Sequence, residues 1–199
     1  MVENDYVVYD VEVLRGPTEV EGGWTNPEGM GFGTAVVFDS IDDMYFFYGP
    51  DDRSRLIDKL KGRFVVSFNG IRFDNSVLLG NGYMKNSALA LLWHNCDILS
   101  EIICHKFDTK TISEAELKFG GGAVFSGVSL NHLAMGTLEM AKNGSGAHAP
   151  ELIKEGAWRE VYEYNLNDVR LTKKLFQFML KYGYLVDGVG SRISFPDVL

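Results

Sequence analysis

The stretch Tyr6-Val-Val-Tyr-Asp-Val-Glu-Val13 is dense in β-branched and aromatic residues and predicts a strand. Side chains at i and i+2 of a strand share a face, so Asp10 and Glu12 point the same way. Two acids on one face of a strand flanked by valines and tyrosines are costly to bury unless something there needs them. Beyond this strand, Arg15 to Gly31 is a Gly/Pro-rich excursion that reads as a long loop, a class often functional. Thr34–Phe38 and Met44–Tyr48 follow as strands, with Asp39 to Asp43 as the turn of a hairpin. Asp51 to Lys61 predicts a helix ended by Gly62, and Arg63 to Phe68 a further strand. Asn69-Gly70 makes a turn, and Phe73 to Leu79 opens a helix with Asp74 in its first turn, where the dipole favours an acid.

The second half reads as mostly helical. Ala88 to Trp93 is short and apolar, and Cys96-Asp-Ile-Leu99 is a strand edge that leads into a helix near Ser100 to His105, with Asp97 as its cap. Ser113 to Lys118 predicts a helical turn, and Gly120 to Gly122 a flexible link. Leu130, Leu133, Ala134 and Leu138 fit a helix capped by Ser129. Asn143 to Pro150 is a second flexible loop, and Glu151 to Lys154 a short helical turn. A long helix runs from Ala157 to Lys181 with Gly183 beyond it, and Arg192 to Pro196 adds a short edge strand. On the long helix Tyr164 and Asp168 stand one above the other, while Leu171, Leu175 and Met179 form an apolar stripe. Strands early and helices late make one mixed α/β domain over residues 1–199.

Apolar residues make up 46% of the chain, enough for a substantial core. Net charge is −8, which argues against nucleic-acid binding through broad basic coverage but not against a phosphodiester handled in a cleft. No segment is long and apolar enough to span a membrane, and the acidic N-terminus does not read as a signal peptide. Cys96 and Cys104 are too few for a disulfide framework, so a reducing, cytoplasmic setting is expected.

Asp10, Glu12, Asp74 and Asp168 come from three separate contexts that a fold could aim at one point. Converging carboxylates cannot all stay ionised without a compensating cation, and hard divalent ions prefer oxygen ligands. In order and spacing, Asp10-Val-Glu12, Asn69-Gly-Ile-Arg-Phe-Asp74 and Tyr164-Asn-Leu-Asn-Asp168 resemble the three motifs of the DEDDy 3′–5′ exonucleases. Val128-Ser-Leu-Asn-His-Leu-Ala134 with Ala149-Pro-Glu-Leu152 looks like an uncharacterised exonuclease-like branch of that superfamily, and the set is similar to the proofreading domains of family B DNA polymerases.

The resemblance implies a ribonuclease H-like fold, with a mixed five-stranded sheet flanked by helices. It implies a two-metal exonuclease, using Mg²⁺ or Mn²⁺, that releases nucleoside monophosphates from the 3′ end of DNA or RNA. Asp10, Glu12 and Asp168 would hold one ion, with Asp10 and Asp74 serving a second about 3.5–4 Å away. Tyr164 would orient the attacking water, and Asn69 would hold the turn of the second motif. No polymerase accompanies these motifs in the chain, so any proofreading would serve a partner in trans.

Trp24 and Phe32 are candidates to stack on a terminal base, with packing inside the loop as the alternative for both. His148 is a candidate phosphate contact; His94, His105 and His132 show no ligand spacing. Lys173 and Lys174 could approach a phosphate backbone or lie on a solvated helix face. Gly120 to Gly122 lacks the Lys-Ser/Thr ending of a nucleotide-binding loop. Two other functions compete: a non-catalytic nucleic-acid or protein-binding module on the same fold, and an endonuclease or junction resolvase.

Overall fold

The computed structural model describes residues 5–90, 92–141 and 148–195. Strand β1 (Tyr6–Val13) is followed by a short helix α1 (Pro27–Met30), the hairpin β2 (Phe32–Asp39) and β3 (Met44–Tyr48), helix α2 (Arg53–Leu60) and strand β4 (Phe64–Ser67). Helices α3 (Asp74–Leu79) and α4 (Ser87–Ala90), strand β5 (His94–Asp97), and helices α5 (Ile98–Phe107), α6 (Ile112–Phe119), α7 (Gly121–Val124) and α8 (Leu130–Leu138) come next. Helices α9 (Ala149–Lys154) and α10 (Trp158–Tyr182) precede strands β6 (Tyr184–Val186) and β7 (Arg192–Ser194).

Five strands form one mixed sheet in the order β3-β2-β1-β4-β5. The β1–β2 and β2–β3 pairs are antiparallel, and β1–β4 and β4–β5 are parallel. The fold is thus the expected ribonuclease H-like α/β sheet flanked by helices. Helices cover both faces, so the central strands are buried on both sides and lack a simple in-out alternation. Tyr6 and Val8 face a core with Ile102, Leu133, Leu171, Leu175 and Phe176, drawn from α5, α8 and α10. Val7, Tyr9, Val11 and Val13 face a second core with Leu56, Leu60, Val77 and Leu78 from α2 and α3.

What positions the site is a mismatch in strand length. β1 pairs with β4 only from Tyr6 to Val8, whereas it runs beside β2 as far as Val13. Past Ser67 the chain leaves the sheet, and the β4 side of β1 opens at Asp10 to Glu12. The departure uses Asn69 at φ 66°, a left-handed conformation that asparagine tolerates. A Cβ on the next residue, Gly70, would lie 2.2 Å from Ser67 Oγ, so only glycine fits.

Four elements differ from the sequence reading. The Arg15–Gly31 excursion is structured: it has 3₁₀ turns at Pro17–Glu19 and Gly23–Thr25, then α1, whose Met30 is fully buried. Gly121 to Val124 is a helical turn because buried Val124 anchors it to the core. β7 pairs with β6 in a separate two-stranded sheet instead of extending the main one. The expected loop at Asn143 to Pro150 lies outside the described residues up to 147, and Ala149-Pro150 already belong to α9. No helix among the described residues is long and apolar enough to cross a membrane.

A candidate metal centre at the open end of the first strand

Asp10 and Glu12 lie on the face of β1 that α10 crosses. The helix is seated by Leu171, Leu175 and Met179, all buried, as their stripe predicts. One turn earlier it delivers Asp168 to the two strand acids. Carboxylate oxygens of Asp10, Glu12 and Asp168 all lie within 4.8 Å of one another. Glu12 and Asp168 are only 6% and 4% exposed, so water does little to screen their repulsion.

Asp74 reaches the same place from α3. Its Oδ1 accepts a 2.9 Å hydrogen bond from the Val11 backbone N–H, on the strand edge that β4 vacated. The bond fills an orphan donor and fixes the carboxylate between the levels of Asp10 and Glu12. Burial pushes the Asp74 carboxyl up to about 7, with Asp97 and Asp168 adding to the rise, against the pull of the Val11 N–H and its own.

Tyr164 stands one turn before Asp168, and its phenol is hydrogen-bonded to that carboxylate. Burial, and then the charges of Asp168, Glu12 and Asp10, hold its proton well beyond the usual phenol range. In the metal-free chain Tyr164 is therefore an O–H donor. Asp10, Glu12, Asp74, Tyr164 and Asp168 all line one hollow of about 160 Å³. Carboxylates this close in a poorly solvated hollow cannot all remain ionised alone. An all-oxygen donor set of this kind fits hard divalent ions such as Mg²⁺ or Mn²⁺. The donors thus fit the group that the motifs imply.

The second motif is held by contacts that the sequence reading did not assign. Asp97 caps α5 through the N–H groups of Leu99 and Ser100, as expected. The same carboxylate also accepts from the Asn69 and Ile71 N–H groups at 2.8 and 3.0 Å, clamping the turn that leads to Asp74. Burial raises its pKa, and the four N–H bonds oppose the rise. Behind it, buried Asn75 accepts from the Tyr9 hydroxyl and donates to Tyr83 and Asn95, and Trp93 also donates to Asn95. On α10, Asn165 Nδ2 donates to Asp10 Oδ2 at 2.7 Å. A helical-face reading could have found Asn165, since it stands three residues before Asp168 on the same side of the helix.

The expected substrate contacts occupy different positions. Asn69 lines the acid hollow and two adjoining ones of about 540 and 350 Å³, so it stands where the three meet. Trp24 lines the acid hollow and the largest one; it is 62% exposed, with its ring 6.0 Å from that of Phe73. The excursion carrying it is pinned to the end of α3 by bonds from Asn81 to Asn26 and Glu28. Phe32 is buried in the second core, so packing accounts for it. His148 stands exposed just ahead of α9 and lines none of the three hollows. Lys173 lies over the Phe38 ring at 3.3 Å, near Asp43 of the hairpin turn, and Lys174 lies beside Met140.

No protein-family profile matches the chain, and no curated protein does. Among solved structures, the chain is similar to the family B DNA polymerase of the hyperthermophilic archaeon Pyrobaculum calidifontis. Identity is 17% and the TM-score 0.52, over 88% of this chain and 24% of the polymerase chain. This chain therefore spans about a quarter of that polymerase's length. At this identity the likeness is one of fold alone; in this chain an acidic triad that could hold a metal ion lies at the open end of β1.

Proposed function

We propose that this chain, acting as one domain over residues 1–199, is a metal-dependent 3′–5′ exonuclease that releases nucleoside monophosphates from DNA or RNA. The observation that carries the reading is the convergence of Asp10, Glu12 and Asp168 within 4.8 Å, in one hollow with Asp74 and Tyr164. The three-motif resemblance supports it, and so does the fold shared with a DNA polymerase.

Two divalent ions, Mg²⁺ or Mn²⁺, would neutralise the cluster, polarise the scissile phosphate and lower the pKa of the attacking water. Asp10, Glu12 and Asp168 would hold the first ion, and Asp10 with Asp74 would serve the second. In the metal-free chain burial, and then Asp168, Glu12 and Asp10, hold the proton on Tyr164, so its phenol is a hydrogen-bond donor. It positions the water and steadies Asp168. A hollow of about 160 Å³ is below the usual ligand-pocket range of about 300–1,000 Å³, so a whole nucleotide has to extend into its neighbours. The substrate then reaches the acids as an unpaired end, with Asn69 at the fork and the base facing Trp24. His148 would meet a phosphate further along the strand.

The test uses 3′-labelled single strands of DNA and RNA, free or blocked at the 3′ end, and circular strands, with Mg²⁺ or Mn²⁺. Release of mononucleotides from free ends only, abolished by chelator, is expected. Cleavage of circles would instead identify an endonuclease, and binding without turnover a non-catalytic module. Trp24→Ala should raise KM about 5- to 100-fold, the equivalent of losing one stacked base, with kcat little changed. Steady-state kinetics check this, and Trp24→Phe should restore most of the loss.

A further inference from the structure

We infer that Asn165 is a positioning residue for Asp10. Its amide holds that carboxylate in the orientation in which Asp10, Glu12 and Asp168 take up a divalent cation together. The inference rests on reading the acid cluster as a metal centre.

Asn165 is fully buried, and its Nδ2 donates to Asp10 Oδ2 at 2.7 Å. An ionised carboxylate only accepts, so the amide nitrogen must be the atom facing it. Its Oδ1 is buried without a hydrogen-bond partner among the described residues. Burying an amide with one end unpaired costs about 1–3 kcal/mol, so packing alone would be better served by leucine. The bond to Asp10 is what the position gains in return.

The residue type matters as well. Lysine or arginine here would bond Asp10 more strongly, but would bring a positive charge into a site meant for a cation. An aspartate would add to the repulsion among the three acids. An amide orients the carboxylate without changing the charge of the site. Its place on the helix also couples the two halves of the centre. Asn165 and Asp168 are one turn apart on α10, so the turn that presents Asp168 also aligns Asp10 on the strand opposite. Partners of this kind, which orient a ligand without touching the metal, typically change metal affinity 10- to 100-fold when removed.

The test is Mn²⁺ binding to the whole chain, followed by the electron paramagnetic resonance signal of the free ion. Asn165→Leu keeps the branched heavy-atom shape and removes the donor. It should fold and bind Mn²⁺ at least about 10-fold more weakly than the parent. Phe176→Leu, in the core three turns along the same helix, is the packing control and should lower the thermal midpoint without moving Mn²⁺ affinity. If Asn165→Leu does not fold, Asn165→Ala carries the same comparison. Parent-like affinity in a folded Asn165 variant would overturn the inference, and so would a parent that binds no Mn²⁺. A parent that binds Mn²⁺ but hydrolyses nothing would defeat the exonuclease reading and leave the Asn165 comparison standing. An active parent whose Asn165 variants bind normally would defeat this inference alone.

Discussion

Replacing Asp168 with alanine is expected to abolish nucleotide release while leaving the metal-free chain more stable than the parent. Asp168 lies within 4.8 Å of both Asp10 and Glu12, and it is almost fully buried. Without a cation that cluster is a repulsive load on the fold, and deleting one member relieves it. Against the gain stands the lost hydrogen bond from Tyr164 to a charged acceptor, about 1.5–3 kcal/mol. The better helix propensity of alanine returns roughly half a kcal/mol. The variant gains wherever the relieved repulsion exceeds the remainder, and each kcal/mol of surplus raises the thermal midpoint by about 2–4 °C in EDTA in a chain of this size. With Mn²⁺ the order should reverse, because the parent gains binding energy that the variant cannot. Turnover should fall by about 10³-fold or more, on the scale of removing a principal electrostatic stabiliser of a transition state. Thermal melts in EDTA and in Mn²⁺, alongside the 3′-end assay, check both halves. A variant less stable than the parent in EDTA, and equally stabilised by Mn²⁺, would show that Asp168 is a structural acid.

The elements carrying the acids were legible because their local signals and their tertiary roles agree. Tyr6 to Val13 reads as a strand by residue type and is one. Ala157 to Lys181 reads as a helix by its apolar stripe and its Gly183 stop, and the helix, Trp158–Tyr182, packs by that stripe. Asp74 was placed correctly in the first turn of a helix, but what holds it was hidden. Its anchor is the backbone of Val11, exposed only because β4 ends early, and strand overhang has no sequence signature. The Arg15–Gly31 excursion was misread for a related reason. Its glycines and prolines mark turns, and buried Met30 and the Asn81 contacts then turn those turns into a fixed wall. Asn165 was within reach of a helical-face reading, but Asn75 went unassigned because a buried asparagine and a solvated one are the same letter. Only the partner across the fold distinguishes them.

Stability of the metal-free chain should fall as pH rises from about 4 to about 7, the reverse of the usual response of a carboxylate-rich protein. Burial raises the Asp74 carboxyl from 3.8 to about 7 in the folded state. Between those values the unfolded chain gives up its proton and the folded chain keeps it, so each step upward favours unfolding. The full loss from this group is at most about 4 kcal/mol and is complete above its folded pKa. Asp97 is also raised by burial and adds to the same trend. The depressed acids, Asp39 and Asp187 together with Glu19, Asp52 and Glu114, do not mask it. Asp39, held low by Arg63 and Lys59 against its burial, and Asp187, held low by Lys106 and two backbone N–H groups, lose their stabilising effect only as pH falls below the ordinary carboxylate range. That lies on the acid side of the window. Bound Mn²⁺ should invert the slope, because a cation beside Asp74 favours its ionised form and binding then releases the proton. Asp74→Asn keeps an acceptor for the Val11 N–H and removes the titration. Its melting temperature in EDTA should fall less steeply between about pH 5 and pH 7 than the parent's, keeping only the slope that Asp97 contributes. Melts of parent and variant across that range, with and without Mn²⁺, decide it: equal slopes in the two proteins would mean that Asp74 is not the group being strained, and that the metal has less to repay at this site than its geometry implies.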